Sequence, residues 1–121
     1  MTVGSSTAVA WTVGFSEFAN MAANPYQASV TYHGSTNAES TGNITPTYNG
    51  IVIEVTADSS LASISYTPSD TIIFSQGDGL DNETGTAQFK VVNGGTQYNL
   101  IETASGTAID WISIGAAYKA L

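Results

Sequence analysis

Apolar and polar residues alternate along most of this chain, with the period of two expected for β-strands that have one buried face. Eight segments show the pattern, and their approximate ranges are 7–15, 28–32, 51–55, 61–66, 71–75, 86–92, 96–101 and 107–114. In one of them Ile51, Ile53 and Val55 share a parity and Glu54 falls between. The alternation predicts that the isoleucines face the core and that Glu54 points to solvent.

Turn-forming residues separate these segments. Asn93, Gly94 and Gly95 lie between two of the predicted strands, and both residue types accept the positive φ of a tight hairpin turn. The triplet therefore predicts a hairpin that joins 86–92 to 96–101. Residues 33–49 are rich in Gly, Ser, Thr and Asn, and we expect a long exposed loop there.

One stretch departs from the alternation. Ser16 is a good N-cap residue, Glu17 is an acid in the first turn, and Phe18 and Met21 are spaced as on one side of a helix before Pro25. These signals predict a short helix near residues 16–24 that covers one end of the core.

Fold class follows from the spacing of the strands. Short strands without strong helices between them predict an all-β protein, an antiparallel β-sandwich or jelly roll of about eight strands. A length of 121 residues fits a single domain over residues 1–121. An eight-stranded barrel is the alternative.

Charge excludes several partners. The chain has ten acids, two lysines, no arginine and a formal net charge of −8. Binding to nucleic acid depends on clustered Lys and Arg, and so does binding to an anionic membrane surface. We therefore expect neither partner, and no apolar run approaches the ~20 residues of a membrane-spanning helix.

The densest polar cluster is a candidate calcium site. Asp78, Asp81 and Glu83 lie close together in a segment that also contains Gly77 and Gly79. Ca²⁺ prefers six to eight oxygen ligands, but the spacing differs from that of an EF-hand. A solvated acidic turn explains the same residues, so the sequence predicts no firm metal site and no cofactor.

Catalytic groups are sparse. His33 is the sole imidazole, and nothing in the sequence selects a nucleophile for it. Asp78 with Glu83, or Glu54 with Glu102, could form a pair of glycosidase carboxylates, but nothing singles out either pair. We expect no enzyme activity and no catalytic residues.

The last strand pattern is apolar on both faces. Trp111 shares a face with Ile109, whereas Ile112 and Ile114 lie on the other. Such a strand is either central and covered on both sides or covered by a second subunit. The sequence predicts that Trp11 and Trp111 fill the core. It predicts self-association through an interface formed by Ile112, Ile114, Tyr118 and Leu121.

Taken together, the lack of Cys and Arg, the surface rich in Ser, Thr, Gly and Ala, and the apolar segment 109–121 give the whole chain a recognisable texture. In this texture it resembles the small virion proteins of tailed bacteriophages, of the capsid decoration or cement type. The resemblance implies a structural role in the virion, as a homo-oligomer, preferably a trimer, that binds the major capsid protein or other virion proteins. It includes no diagnostic motif, so it assigns no functional residue.

A different class of function also fits the composition. Exposed Tyr, Asn and Asp side chains are typical of carbohydrate-binding, lectin-like modules and of receptor-binding fibre tips. In that interpretation the protein acts outside the cell on a glycan, with calcium at residues 78–83 as an aid.

Overall fold

The computed structural model describes residues 17–58, 66–77, 84–105 and 110–121. Within these ranges the chain forms β-strands and no helix. The strands are β1 (Met21–Gly34), β2 (Ala38–Ser40), β3 (Gly50–Asp58), β4 (Tyr66–Pro68), β5 (Thr71–Gly77), β6 (Thr84–Val92), β7 (Ile101–Ala104) and β8 (Trp111–Ala120). The prediction of an all-β protein is confirmed.

The strands that the structure describes form two antiparallel sheets. The larger has the order β1-β8-β3-β6-β5, and the smaller has the order β2-β7-β4. Strand β3 lies at the centre of the larger sheet and pairs with both β6 and β8 along its whole length. The antiparallel arrangement predicted from the sequence is therefore confirmed.

The alternation in β3 is real, but its orientation is the reverse of the prediction. Val52, Glu54 and Thr56 are buried and face the smaller sheet, with Glu54 fully inaccessible to solvent. Val55, on the opposite face, is 46% exposed. The prediction that Glu54 points to solvent is wrong, because the polar parity of this strand faces the second sheet.

The space between the sheets has an apolar half and a polar half. A cluster of five buried residues fills the apolar half: Ile44, Val52, Val92, Leu100 and Ala117. Buried carboxyl, amide and hydroxyl groups fill the other half, and they include Glu39, Glu54, Gln88, Glu102 and Ser113. The core is thus divided along the length of the strands rather than being uniformly apolar.

The predicted helix near residues 16–24 is wrong for the residues that the structure describes, which exclude residue 16. Asn20 has a φ of 59°, and Met21 already pairs with Ala120 of β8. The edge position of β1 accommodates Pro25, since the pairing with β8 shifts register between Met21 and Ala28. Tertiary pairing with β8 has overridden the local helical signals.

Two further predictions about connections are also wrong. The predicted loop 33–49 contains β2 and an isolated bridge between Ile44 and Tyr98. The turn at residues 93–95 does not form a hairpin, because β6 pairs with β3 and β5 whereas the next strand, β7, belongs to the smaller sheet. Gly95, with a φ of 77°, donates its N–H to the carbonyl of Pro46 at 2.8 Å. The turn therefore carries the chain from one sheet to the other.

Close approach of the sheets requires a glycine in β8. A Cβ built on Gly115 would lie 2.9 Å from Cβ of Thr41 and 3.2 Å from Cγ1 of Val30. We expect Gly115→Ala to lower the free energy of unfolding by about 1–3 kcal/mol, the usual cost of overpacking. Denaturant unfolding measures the change.

Gly85→Ala is the matched control for this substitution. A Cβ built on Gly85 has its nearest neighbour, the carbonyl oxygen of Thr56, at 3.5 Å, which is ordinary contact. The control is expected to leave stability unchanged or to raise it slightly. Equal losses in both variants would show that the contact between Gly115 and Thr41 does not limit the packing.

Candidate functional site

The side of the larger sheet that faces away from the smaller one is apolar, and we call it the outer face. Its central positions come from the outward parity of β3, β6 and β8: Ile51, Ile53, Val55, Ala87, Phe89, Ile112, Ile114, Ala116 and Tyr118. Val55 lies between Ile114 on one side and Ala87 on the other. Ile112 and Ile114 are 49% and 50% exposed.

A groove of about 460 Å³ runs over part of the outer face. Its lining includes Phe18 and Met21, and also Ile53, Val55 and Phe74 of the larger sheet. The ring of Phe18 packs edge-on against Phe89, with centroids 5.2 Å apart. Residues 17–21 therefore cover a part of the outer face, while the end near Ile112 stays open.

The outer face carries no charged side chain at the outward positions of β3, β6 and β8. Three of the four predicted interface residues, Ile112, Ile114 and Tyr118, lie on it together. Leu121 follows β8, is 87% exposed, and donates its backbone N–H to the carbonyl of Asn20 at 2.9 Å. The structure thus brings three predicted interface residues onto one surface and places the fourth at its end.

Tyrosine side chains gather at that end of the larger sheet. The rings of Tyr26 and Tyr118 meet edge-on at 6.3 Å, and the ammonium group of Lys119 lies 4.4 Å from the ring centre of Tyr48. Gln27 is hydrogen-bonded to the backbone of Tyr48, because its side-chain amide accepts the N–H of Tyr48 at 2.7 Å and donates to the carbonyl of the same residue. The aromatic rings are partly exposed and lie next to polar groups.

The other predicted residues have mixed outcomes. Trp111 is buried as predicted, and its indole N–H donates to the carbonyl of Thr36 at 2.8 Å. Trp11 and the calcium candidates Asp78, Asp81 and Glu83 lie outside the described residues. Within the ranges given above, no group of three or more His, Cys, Asp or Glu side chains has the geometry to hold a metal ion.

Sequence reasoning missed a cluster of buried carboxyl groups in the polar half of the inter-sheet space. Its members, which we call the carboxyl cluster, are Glu39, Glu54, Asp58 and Glu102. Glu39 and Glu102 are directly opposite each other in the pairing of β2 with β7. Glu54 and Asp58 approach them from β3 in the facing sheet, close enough to interact through their charges.

The hydrogen bonds of the carboxyl cluster are uneven. Glu54 accepts from the side-chain amide of Gln88 at 2.5 Å and from the hydroxyl of Ser113 at 2.8 Å. The hydroxyl of Thr86 lies 3.2 Å from Oε1 of Glu102. Among the described residues, neither carboxyl oxygen of Glu39 has a hydrogen-bond partner, nor has Oε2 of Glu102.

Burial changes the acidity of these groups. Desolvation, with smaller contributions from Asp58 and Glu54, raises the pKa of Glu39 from 4.5 to about 8. Desolvation and the charge of Glu54 raise the pKa of Glu102 to about 8 as well. For Glu54, desolvation raises the pKa to about 7, and the hydrogen bonds from Gln88 and Ser113 limit the rise. At neutral pH the cluster therefore holds protons.

Of the two pairs considered for glycoside hydrolysis, Asp78 with Glu83 lies outside the described residues, whereas Glu54 with Glu102 is brought close by the fold but is buried away from solvent. Glu54 and Glu102 interact through their charges, yet neither has any exposed surface through which a sugar would reach it. His33 is exposed on β1 opposite Ile112. The geometry therefore provides no route from a substrate to these carboxyls.

Comparison with protein-family models, with curated proteins and with solved structures finds no match. In the described part of the chain, there is no helix with the length and hydrophobicity needed to cross a membrane.

Proposed function

We propose that this protein has a structural role and assembles with further copies of itself through the outer face. The observation that carries the proposal is the half-exposed pair Ile112 and Ile114 in an apolar, uncharged region of a five-stranded sheet. Soluble monomers rarely expose contiguous apolar patches larger than a few hundred Å², and larger patches are typical of interaction sites.

The size of the outer face agrees with this role. Five strands about 4.8 Å apart, with nine residues of about 3.3 Å each, span roughly 20 by 30 Å. That is roughly 600 Å² before the part covered by residues 17–21 is subtracted, which is of the same order as the ~800 Å² that each partner contributes to a standard interface. Burial of this apolar surface favours association, and its surplus over the lost freedom of the partners sets the affinity.

Charge favours a second copy as the partner. The chain carries a net charge of −8, yet the acids of the described strands avoid the outward positions of β3, β6 and β8. The outer faces of neighbouring copies can therefore meet around a shared symmetry axis without bringing like charges into direct contact. An anionic protein that associates with itself needs such a neutral surface, because repulsion between like charges opposes its assembly.

We place the protein among the decoration or cement proteins of bacteriophage virions, as a trimeric β-sandwich of the jelly-roll type that binds the major capsid protein. Support for this assignment is the texture of the sequence together with the self-complementary face. In that role the apolar contacts stabilise the capsid lattice, and no cofactor takes part.

Light scattering and sedimentation measure the self-association of the chain. At tens of micromolar the intact chain is expected to form a homo-oligomer, and Ile112→Thr with Ile114→Thr is expected to weaken that association at least tenfold. The matched control is Ile101→Thr, since Ile101 is 39% exposed but lies on the smaller sheet. It should associate as the wild type does.

Two results would contradict the proposal. One is a strict monomer at hundreds of micromolar, and the other is equal association of the double variant and the wild type. Circular dichroism confirms that each variant is folded, which is expected because Ile112 and Ile114 are half exposed.

A glycan-binding role is the second candidate, and the tyrosines at the end of the larger sheet favour it. Tyr26 and Tyr48 are largely exposed, and the side-chain amide of Gln27 is hydrogen-bonded to the backbone of Tyr48. Sugars bind to surfaces that combine an aromatic ring with hydrogen-bonding groups, because both an apolar face and hydroxyls must be satisfied. This candidate overlaps the surface proposed for self-assembly, because Tyr26 is opposite Tyr118 at the end of the outer face and packs against its ring.

A further inference from the structure

The carboxyl cluster joins the two sheets of the fold. Glu39 and Glu102 project from neighbouring strands of the smaller sheet, and side chains directly opposite in an antiparallel pair have Cβ atoms about 4.5–5.5 Å apart. Glu54 projects towards them from the centre of the larger sheet. Three of the four cluster residues have no exposed surface, and Asp58 is 6% exposed.

Among the described residues, no cation acts on Glu39, Glu54 or Glu102. Lys90 lies on the inward parity of β6, but its ammonium group is 2.7 Å from Asp70 and forms an ion pair with it. Lys119 lies over the ring of Tyr48 at the other end of the sheet. The carboxyls therefore face one another with only neutral hydrogen-bond donors between them.

The groups that surround the cluster come from every strand packed against it. Thr86 and Gln88 of β6 and Ser113 of β8 are neutral donors. Asp70, which precedes β5, contributes a negative charge towards Glu54. Tyr32 of β1 is a phenol that is half exposed beside Trp111. None of these supplies a positive charge.

Buried like charges repel strongly, and each also loses its hydration. A shared proton removes both costs, because a protonated carboxyl is neutral and donates a hydrogen bond to its neighbour. Neither oxygen of Glu39 nor Oε2 of Glu102 has a hydrogen-bond partner among the described residues, so each is free to accept such a bond.

We propose that the carboxyl cluster makes the contact between the two sheets pH-sensitive: the sheets pack closely while these carboxyls are protonated and separate locally as they ionise. This device goes beyond the proposed structural role and does not depend on it.

The direction of the effect follows from linkage. The unfolded chain releases these protons near pH 4.5, whereas in the folded protein the pKa values are about 7 for Glu54 and about 8 for Glu39 and Glu102. Between these limits the folded state binds more protons, so stability falls as pH rises. The stabilisation that these three carboxyls contribute is greatest below about pH 4.5, and it is lost completely above about pH 8.

Denaturant unfolding at a series of pH values tests the proposal. For each carboxyl protonated only in the folded state, the unfolding constant rises about tenfold per pH unit. Wild type should therefore show a rise steeper than tenfold per unit between about pH 5 and 7. In the double variant Glu39→Gln with Glu102→Gln, the factor by which the unfolding constant rises per pH unit should be at least tenfold smaller than in the wild type.

Glu17→Gln is the control, because Glu17 is an exposed acid outside the cluster. Its pH slope should equal that of the wild type. Wild-type stability that is flat from pH 5 to 8, or a slope kept by the double variant, would overturn the proposal. If the double variant fails to fold, the protons that the wild type releases on unfolding at pH 6 decide the question. Release of about three protons per molecule supports the proposal, and release of no protons overturns it.

Hydrogen exchange tests the local part of the proposal. After correction for intrinsic rates, amides of β2 and β7 should lose protection between pH 6 and 8.5, while those that pair β3 with β8 keep theirs. Equal losses in both sheets would show that ionisation acts on the whole fold rather than on the contact between sheets.

Discussion

Replacement of Trp111 by alanine is expected to lower the free energy of unfolding by about 3–5 kcal/mol, the usual cost of truncating a buried aromatic residue. The ring is 5% exposed and fills the end of the inter-sheet space beside Gly34, where a built Cβ would lie 2.7 Å from the ring. The variant also leaves the carbonyl of Thr36 without its indole donor. Urea unfolding followed by circular dichroism measures the loss.

Trp111→Phe separates the two contributions. It keeps most of the apolar volume but removes the hydrogen bond to Thr36, so its loss should be well below that of Trp111→Ala. If the alanine variant were as stable as the wild type, the assignment of Trp111 to the core would be wrong.

Leu100→Ala is expected to cost about 2–5 kcal/mol. Leu100 is fully buried in the apolar half, together with Ile44 and Val52. This half is small, because carboxyl and hydroxyl groups occupy the rest of the inter-sheet space. A cavity there removes a large share of the apolar contacts between the sheets. Thermal and denaturant unfolding measure the effect.

Val91→Ala is the control, since Val91 is 74% exposed on the outward side of β6. Its effect should stay within about 0.5 kcal/mol at protein concentrations low enough to keep the chain monomeric. Similar losses for Leu100→Ala and Val91→Ala would mean that the apolar half does not hold the sheets together.

The strand pattern of the sequence predicts the fold class well, because a period of two depends only on backbone geometry. It locates the strands β3, β5 and β6, and it recognises Trp111 as buried. The same period cannot say which parity faces inward when a strand has one apolar and one polar face. For β3 hydrophobicity selects Ile53 and Val55, yet the buried parity contains Glu54 and Thr56.

A signal for the polar half was nevertheless present in the sequence. Glu54 and Thr56 in one strand, Thr86 and Gln88 in another and Ser113 in a third each occupy one parity. Only the pairing of distant strands shows that these parities share a side, because Glu54 is opposite Gln88 in β6 and Thr56 is opposite Ser113 in β8. Such a site depends on topology, which a single sequence does not specify.

Local signals failed where long-range pairing decided the outcome. Phe18 and Met21 fit a helix by spacing, but the end of β8 offers Met21 a partner strand. Asn93 and Gly94 fit a hairpin, but the strands on either side belong to different sheets. The alternation within β8 alone is enough to place Ile112 and Ile114 on one side of the sheet, and their role in an interface stays a prediction.

The position of β8 between β1 and β3 constrains how the chain reaches its native state. The last of the described strands lies second in the larger sheet, and its partners β1 and β3 begin at residues 21 and 50. On a ribosome, β1 and β3 emerge long before residues 111–120 and have no strand between them in the meantime. Loops this long close slowly, and folding rates fall as contacts become more distant in sequence. The nascent chain therefore leaves the edges of β1 and β3 that β8 later occupies unpaired until residues 111–120 have emerged, which makes synthesis a stage at which aggregation competes with folding.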